Sequence, residues 1–231
     1  MTLNTAVHKH ILLQILKDIY TDTKIAPHLG FKGGTAAFIF YGLTRFSVDL
    51  DFDLLDDSKG DIVFERVERI IKKYGTIRDA SRKRFSIFFL LSYEENTQNI
   101  KVEINCRSFG SRYEVKTYLG ISMLVMVQED MFAHKLMAMQ ERIGRTSRDI
   151  YDVWFFLEHN WPINKEIVEE RAKMPFARVL EKSIAALEKT SDRSILQGVG
   201  ELLDRSQKDW ARAKLRTETI FLLRMRLESG R

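Results

Sequence analysis

The chain has 231 residues, 45% of them hydrophobic and 11% aromatic, with a formal net charge of +5. That suits a globular protein with a sizeable core, built as one large domain or two small ones. A single cysteine, Cys106, excludes an internal disulfide framework and suits a reducing, cytoplasmic setting, and no apolar run approaches the ~20 residues that span a bilayer.

The N-terminal run Ile11-Leu12-Leu13-Gln14-Ile15-Leu16 is closed off by Lys17 and Asp18, unlike the apolar stretch of a signal peptide. Its spacing, extended by Ile19 and Tyr20, predicts a helix over residues 5–21. Ala26-Pro27-His28-Leu29-Gly30 reads as a breaker. A second helix opens at Gly34 and runs through Thr35–Phe40 to Gly42. A strand follows over 45–54, then the loop Asp56-Asp57-Ser58-Lys59-Gly60. Ile62, Val63, Val67, Ile70 and Ile71 predict a helix over 61–73, closed by Tyr74-Gly75. Residues 85–92 and 100–106 predict a hairpin around the turn Glu94-Glu95-Asn96-Thr97. One short strand is expected near 115–118 or 122–127. Helices are expected over 128–142, 147–158, 164–172, 175–189, 194–206 and 208–227. A composition shift at Asn160-Trp161-Pro162 divides the chain into 1–160 and an all-helical 161–231.

The chemistry concentrates in three places. In a strand over 45–54, Ser47, Asp49, Asp51 and Asp53 share one side, and Phe46, Val48, Leu50 and Phe52 the other. Like charges on one face repel, and a divalent cation resolves the conflict; Mg²⁺ sits between carboxylates and substrate phosphates. The plain alternative is a solvated edge strand. Gly33-Gly34 ahead of a helix offers phosphate a close backbone approach and free N–H groups. Glu103, on the returning hairpin strand, becomes a third carboxylate if that strand lies beside the acidic one. In the third place, Lys135 stands on a helix with Arg142, Arg145 and Arg148 downstream, and Asp149 and Asp152 share a helix face. The plain readings are a surface lysine and a Thr146-x-x-Asp149 cap.

Other features are less specific. His8 and His10 fall on different helix faces and make a poor metal pair. Cys106 reads as a buried, inert thiol, and Trp154, Phe155 and Phe156 as core. Arg82-Lys83-Arg84 opens a strand, where it either touches nucleic acid or guards against aggregation. Residues 161–231 carry 15 Lys and Arg against 11 Asp and Glu. Arg205, Lys208, Arg212, Lys214, Arg216, Arg224, Arg226 and Arg231 form either a polyanion-binding surface or a solvated helix face.

The run Lys32-Gly33-Gly34-Thr35-Ala36, continued by Tyr41-Gly42-Leu43-Thr44-Arg45-Phe46-Ser47-Val48-Asp49-Leu50-Asp51-Phe52, resembles the first motif of the AbiEii/AbiGii toxin family. These are nucleotidyltransferase-like proteins of the polymerase-β superfamily. The run from Lys135-Leu136 through Arg142 to Arg148-Asp149-Ile150-Tyr151-Asp152 resembles the family's second signature. The resemblance spans residues 30–157. It implies an α+β fold, in which a polymerase-β-like nucleotidyltransferase domain with a small mixed sheet and flanking helices precedes a C-terminal helical region. It also implies a cytoplasmic toxin with a separately encoded antitoxin and no membrane partner. That toxin transfers a nucleotidyl group from an NTP with Mg²⁺ to an RNA acceptor, in relatives the 3′ end of tRNA.

Carried onto this sequence, the resemblance gives Gly33, Gly34 and Ser47 phosphate contacts, within a nucleotide-binding stretch that also holds Lys32, Thr35 and Arg45. Asp49 and Asp51 bind metal, joined by Glu103. Lys135 holds the triphosphate beside Arg148 and Asp149, and Asp152 or Asp149 completes the catalytic set. Position 35 is Thr where the superfamily often has Ser, and the hydroxyl is kept. Two other readings remain open at this point. One is a nucleotidyltransferase acting on a small molecule or a protein hydroxyl; the other is a non-catalytic nucleotide-binding module.

Overall fold

A computed structural model describes residues 4–95 and 97–230, so Asn96 of the expected hairpin turn and the terminal Arg231 lie outside the described residues. The chain divides into two compact units. One comprises Met1–Ser108 with Arg112–Met126, the other Phe109–Ser111 with Val127–Arg231. The Asn160-Trp161-Pro162 segment, where composition shifts, lies inside the second unit. There Trp161 stacks on Phe156 at 4.0 Å.

The first unit is a seven-stranded mixed sheet in the order β3-β4-β5-β2-β1-β7-β6. The strands are β1 (Leu29–Lys32), β2 (Leu50–Leu54), β3 (Thr76–Lys83), β4 (Ser86–Ser92), β5 (Ile100–Asn105), β6 (Tyr113–Tyr118) and β7 (Ile121–Met126). β2 runs parallel to β5 and antiparallel to β1. Register sorts the two faces. Phe31, Phe52, Ile104 and Ile87 align across four strands, and all four are fully buried. Two helices supply the rest of the core: α1 (Thr5–Thr21) with Leu12, Ile15, Leu16 and Ile19, and α3 (Gly60–Ile71) with Val63, Val67, Ile70 and Ile71. The next row on the opposite face reads Lys32, Asp51, Glu103 and Phe88, and the row beyond it Gly30, Asp53, Asn105 and Ser86. The acids therefore ride on a strand whose other side is anchored in the core.

The helices at 5–21 and 61–73 and the hairpin form as expected. So does α2 (Gly33–Phe40), the helix opening at the glycine pair. Both short strands expected as alternatives form, and they pair with each other as β6 and β7. The strand expected over 45–54 is shorter, because side chains take the carbonyls that a neighbouring strand would use. His8 Nε2 donates to the Val48 carbonyl at 2.9 Å, and the Thr35 hydroxyl donates to the Asp49 carbonyl. Strand alternation therefore sets only Asp51 and Asp53 on one face; Ser47 and Asp49 are placed by other contacts. β1 and the edge strand β3 were not anticipated. β1 hides in what reads as a breaker, and β3 is exposed along most of its length, so no apolar alternation marks it.

With Nε2 donating, His8 Nδ1 is left to accept the Tyr93 hydroxyl at 2.9 Å. Burial pushes the His8 pKa below its ordinary 6.5. The folded protein thus keeps His8 neutral while the unfolded chain takes up a proton, so stability is lost as pH falls below about 6.5. Melting temperatures measured from neutral to mildly acidic pH should show this loss, with a shallower pH slope in His8→Gln, which keeps a donor for Val48. Parallel pH profiles for the two proteins would rule the contribution out.

The second unit contains helices α4 (Gln128–Arg142), α5 (Arg148–Glu158), α6 (Lys165–Ala172), α7 (Phe176–Glu188), α8 (Arg205–Trp210) and α9 (Arg216–Glu228). A π-helical turn, Ala211–Leu215, joins the last two into one rod. Phe155, Phe156 and Trp161 are buried, while Trp154 is half-buried against Trp210 at 4.1 Å. The helix expected over 194–206 does not form. Gly198 sits at φ +69°, and only short 3-10 turns flank it, at Asp192–Ser194 and Gly200–Leu202. This loop carries the Gly198 carbonyl to Arg148 Nε at 2.6 Å and the Gln197 carbonyl to the Ser147 N–H at 2.9 Å. No helix among the described residues is long and apolar enough to cross a membrane.

Candidate active site

In the first unit the chain leaves β1 at Lys32, turns at Gly33 and enters α2, and Lys32 lies opposite Asp51 in the ladder. Gly33 has φ +78°, and a Cβ there would collide with the Asp51 carboxylate. Glycine is therefore required twice over, for the turn and for the approach of the acid. At Gly34 a Cβ would stand 2.7 Å from Arg45 Nη2 and 2.9 Å from Ser47 Oγ. Leaving it out lets a guanidinium and a hydroxyl reach the first turn of α2, whose N-terminus has no side-chain cap. Uncapped N–H groups, the positive end of the helix dipole and a guanidinium together favour an anion. Thr35 and Ser47 are buried, with their hydroxyl oxygens 2.9 Å apart. They pin the segment before β2 onto α2.

The acids do not behave alike. Asp53 is buried and already satisfied. It accepts from Lys32 Nζ at 2.5 Å, Asn105 Nδ2 at 2.6 Å and the Tyr113 hydroxyl at 2.5 Å. The Tyr113 ring reaches it over Gly30, where a Cβ would overlap the ring. Lys32, grouped with the nucleotide-binding residues by its position, is thus engaged in an ion pair. Tyr113 and Gly30 went unnoticed in the sequence, since nothing local marks a tyrosine 60 residues from its carboxylate.

Asp51 stands beside Glu103 in the parallel register, both on the polar face. Glu103 is exposed, and its side chain forms no ion pair or hydrogen bond with another described residue. Asp49 precedes the strand, with Oδ1 3.4 Å from the Lys101 N–H. Among the described residues no three His, Cys, Asp or Glu side chains converge as a ready-made metal cage. Mg²⁺ does not need one, because it is commonly held by one or two carboxylates together with substrate phosphate. Asp51 and Glu103, adjacent in the register, with Asp49 two residues earlier in the chain, are hard oxygen donors of the kind this ion takes.

The second unit brings its three expected residues together. Lys135 on α4 lies 3.1 Å from Asp149 Oδ1 and 2.8 Å from Asp152 Oδ2, both on α5. Each acid is nearly inaccessible. Arg142 Nη2 approaches Asp149 Oδ2 at 2.7 Å, but not with hydrogen-bond geometry, so that attraction is electrostatic. The alternative Thr146–Asp149 cap does not form; α5 begins at Arg148, and its N-cap Ser147 makes no side-chain cap. Lys135 is not a free surface lysine, because two buried carboxylates hold its ammonium. Arg148 faces the Gly198 loop and pairs with Glu201 at 3.3 Å. Cys106 is half-buried at the end of β5, and burial pushes its thiol pKa up, which suits an unreactive group.

The family model for the nucleotidyl transferase AbiEii toxin of type IV toxin–antitoxin systems matches residues 14–219. No curated protein matches the chain. Two crystal structures from Helicobacter pylori share its fold. One is of a candidate nucleotidyltransferase, at 19% identity and TM-score 0.60, covering 100% of this chain and 99% of that one. The other is of JHP933, at 18% identity and TM-score 0.57, covering 100% of this chain and 96% of that one. With both sequence motifs inside the matched region and the fold in agreement, this chain belongs to the AbiEii family of nucleotidyl transferase toxins of type IV toxin–antitoxin systems.

Proposed function

We propose that the enzyme transfers a nucleotidyl group from an NTP to a hydroxyl of an RNA acceptor, most simply the 3′ end of a tRNA, with Mg²⁺ as cofactor in the cytoplasm. The observation that carries this reading is the register of β2 and β5, which sets Asp51 beside Glu103 immediately next to the Gly33-Gly34 corner. In the reaction the acceptor oxygen bonds to the α-phosphorus, the bond to the β-phosphate oxygen breaks, and pyrophosphate and a proton leave. Asp51 with one neighbouring carboxylate, Glu103 or Asp49, would hold Mg²⁺ together with substrate phosphate, and the ion when bound would neutralise charge on the phosphates and lower the pKa of a coordinated hydroxyl. The N–H groups at Gly33 and Gly34, with Arg45 and Ser47, bind phosphate oxygens and fix the α-phosphorus for in-line attack. A carboxylate of the β2–β5 pair accepts the acceptor's proton. In the second unit, Lys135, whose ammonium Asp149 and Asp152 hold, is that unit's candidate for a phosphate contact.

Membership of a type IV system implies a cognate antitoxin as partner. Incubating the protein with each labelled NTP, Mg²⁺ and total RNA tests the reading. Label should appear in RNA of tRNA length and at its 3′ end. Label found only in protein or in a small molecule would replace RNA as the acceptor class.

A further inference from the structure

One basic motif is left unused by the transfer chemistry. Arg82 and Lys83 close β3, and Arg84-Phe85 form the two-residue turn into β4. Such turns favour Gly, Asn or Asp, so Arg-Phe is not there for turn chemistry. Edge-strand protection explains charge on β3, but neither the turn residues nor Arg107 beyond β5. Phe85 is 44% exposed and has two guanidinium groups near its ring, Arg84 at 5.0 Å and Arg107 at 4.7 Å from the ring centre.

Four of them, Arg82, Lys83, Arg84 and Phe85, border a cavity of about 630 Å³ whose wall also includes Gly60, Cys106 and one carboxylate, Asp57. That volume lies in the range of sites that enclose a small molecule or one nucleotide. Gly60 opens α3 without a side-chain cap, and its missing side chain leaves room for Arg82, which also pairs with Asp61. Lys83, Arg84 and Arg107 have no carboxylate partner among the described residues. The C-terminal arginines differ. Arg216 is held by Asp192, Arg224 by Glu188 and Arg212 by Asp209, so part of the charge at the end of the chain is neutralised in place.

The cavity is also coupled to the acid strand. Asn105 donates to Asp53 and to the Arg107 carbonyl, and its own oxygen accepts the Arg107 N–H. Leu54, in the cavity wall, follows Asp51 by three strand residues, a separation of roughly 10 Å. Unpaired cations beside an exposed ring suit a strand with phosphates and open base faces. A duplex hides those faces.

We propose that this cavity is a contact for single-stranded RNA, whose phosphates meet Lys83 and Arg84 and one of whose bases stacks on Phe85. The proposal rests on the RNA-acceptor reading above. It assigns the acceptor's single-stranded segment a place in the first unit, separate from the glycine corner that takes the NTP.

The one cysteine of the chain lines the cavity and reports on it directly. With a short unstructured RNA as probe, alkylation of Cys106 in the full-length protein at mildly alkaline pH should slow, followed by mass spectrometry. ATP with Mg²⁺ should not slow it, and RNA should give no protection in Lys83→Glu/Arg84→Glu. In anisotropy titrations that double variant should bind the RNA about tenfold more weakly. Its log–log salt slope should be flatter by about 1.4, or ~0.7 for each lost phosphate contact. Phe85→Ala should lose about fivefold or more, as expected for one stacked base. ATP affinity and melting temperature should stay at wild-type values in both variants.

Unchanged RNA affinity in both variants, RNA binding without protection of Cys106, or protection by ATP would each overturn the proposal. Wild-type labelling of RNA alongside any of these results would leave the acceptor reading standing. Absence of both RNA labelling and RNA binding would remove the two together.

Discussion

Asp51→Asn should abolish nucleotidyl transfer, with a loss of roughly three orders of magnitude or more, since a metal-held phosphate contributes several kcal/mol to the transition state. Asp49→Ala should behave likewise. The fold should survive both changes. Asp51 neighbours Glu103 in the register, so removing its charge relieves a repulsion. With that repulsion relieved and Asp51's own contact changed, the melting temperature without metal should stay close to that of the wild type. Single-turnover transfer measured against Mg²⁺ concentration, alongside thermal unfolding, checks both halves. Asp53→Asn is the internal control: its carboxylate is already held by Lys32, Asn105 and Tyr113, so its loss should cost stability before it costs metal dependence. Full activity in Asp51→Asn would sink the metal assignment.

Lys135→Ala carries the largest expected stability effect. Its ammonium lies between the nearly inaccessible carboxylates of Asp149 and Asp152. Removing it leaves two like charges buried without their main partner, a change that costs about 3–5 kcal/mol. For a chain of this length that corresponds to a fall in melting temperature of roughly 10 °C. The effect on NTP affinity must therefore be read in protein shown to be folded. Lys135→Arg should retain more stability and more NTP affinity than Lys135→Ala, without restoring full activity, because a planar fork does not replace a compact ammonium. Lys135→Ala combined with Asp149→Asn and Asp152→Asn should regain part of the lost stability without regaining NTP affinity. A wild-type melting temperature in Lys135→Ala would show that Arg142 and the remaining surroundings alone hold the two acids.

Much of this was already legible in the sequence. The helix periods of α1, α3, α4 and α5 stand out because one face of each is apolar and the spacing is local. The glycine pair, the acids after it and the later lysine–aspartate pair were visible as motifs, and so was Glu103 as the third acid, on the condition that its strand lay beside theirs. The structure meets that condition through the parallel β2–β5 register, which no local pattern encodes.

Strand β3 and the four-residue β1 escaped because an exposed edge and a short central strand leave little hydrophobic signature. The helix read into 194–206 failed because Gly198, at positive φ, interrupts it and the carbonyls of Gln197 and Gly198 serve Ser147 and Arg148 instead. The acids' separate fates were also beyond the sequence. Alternation placed four polar residues on one strand face, but His8 and Thr35 remove Ser47 and Asp49 from the strand by taking backbone carbonyls. Lys32, Asn105 and Tyr113 then neutralise Asp53. Sequence by itself determined which groups of what chemistry exist and which lie close along the chain. Tertiary structure decided which acids are already paired and which stand together on the polar face, because pairing depends on contacts between residues dozens of positions apart.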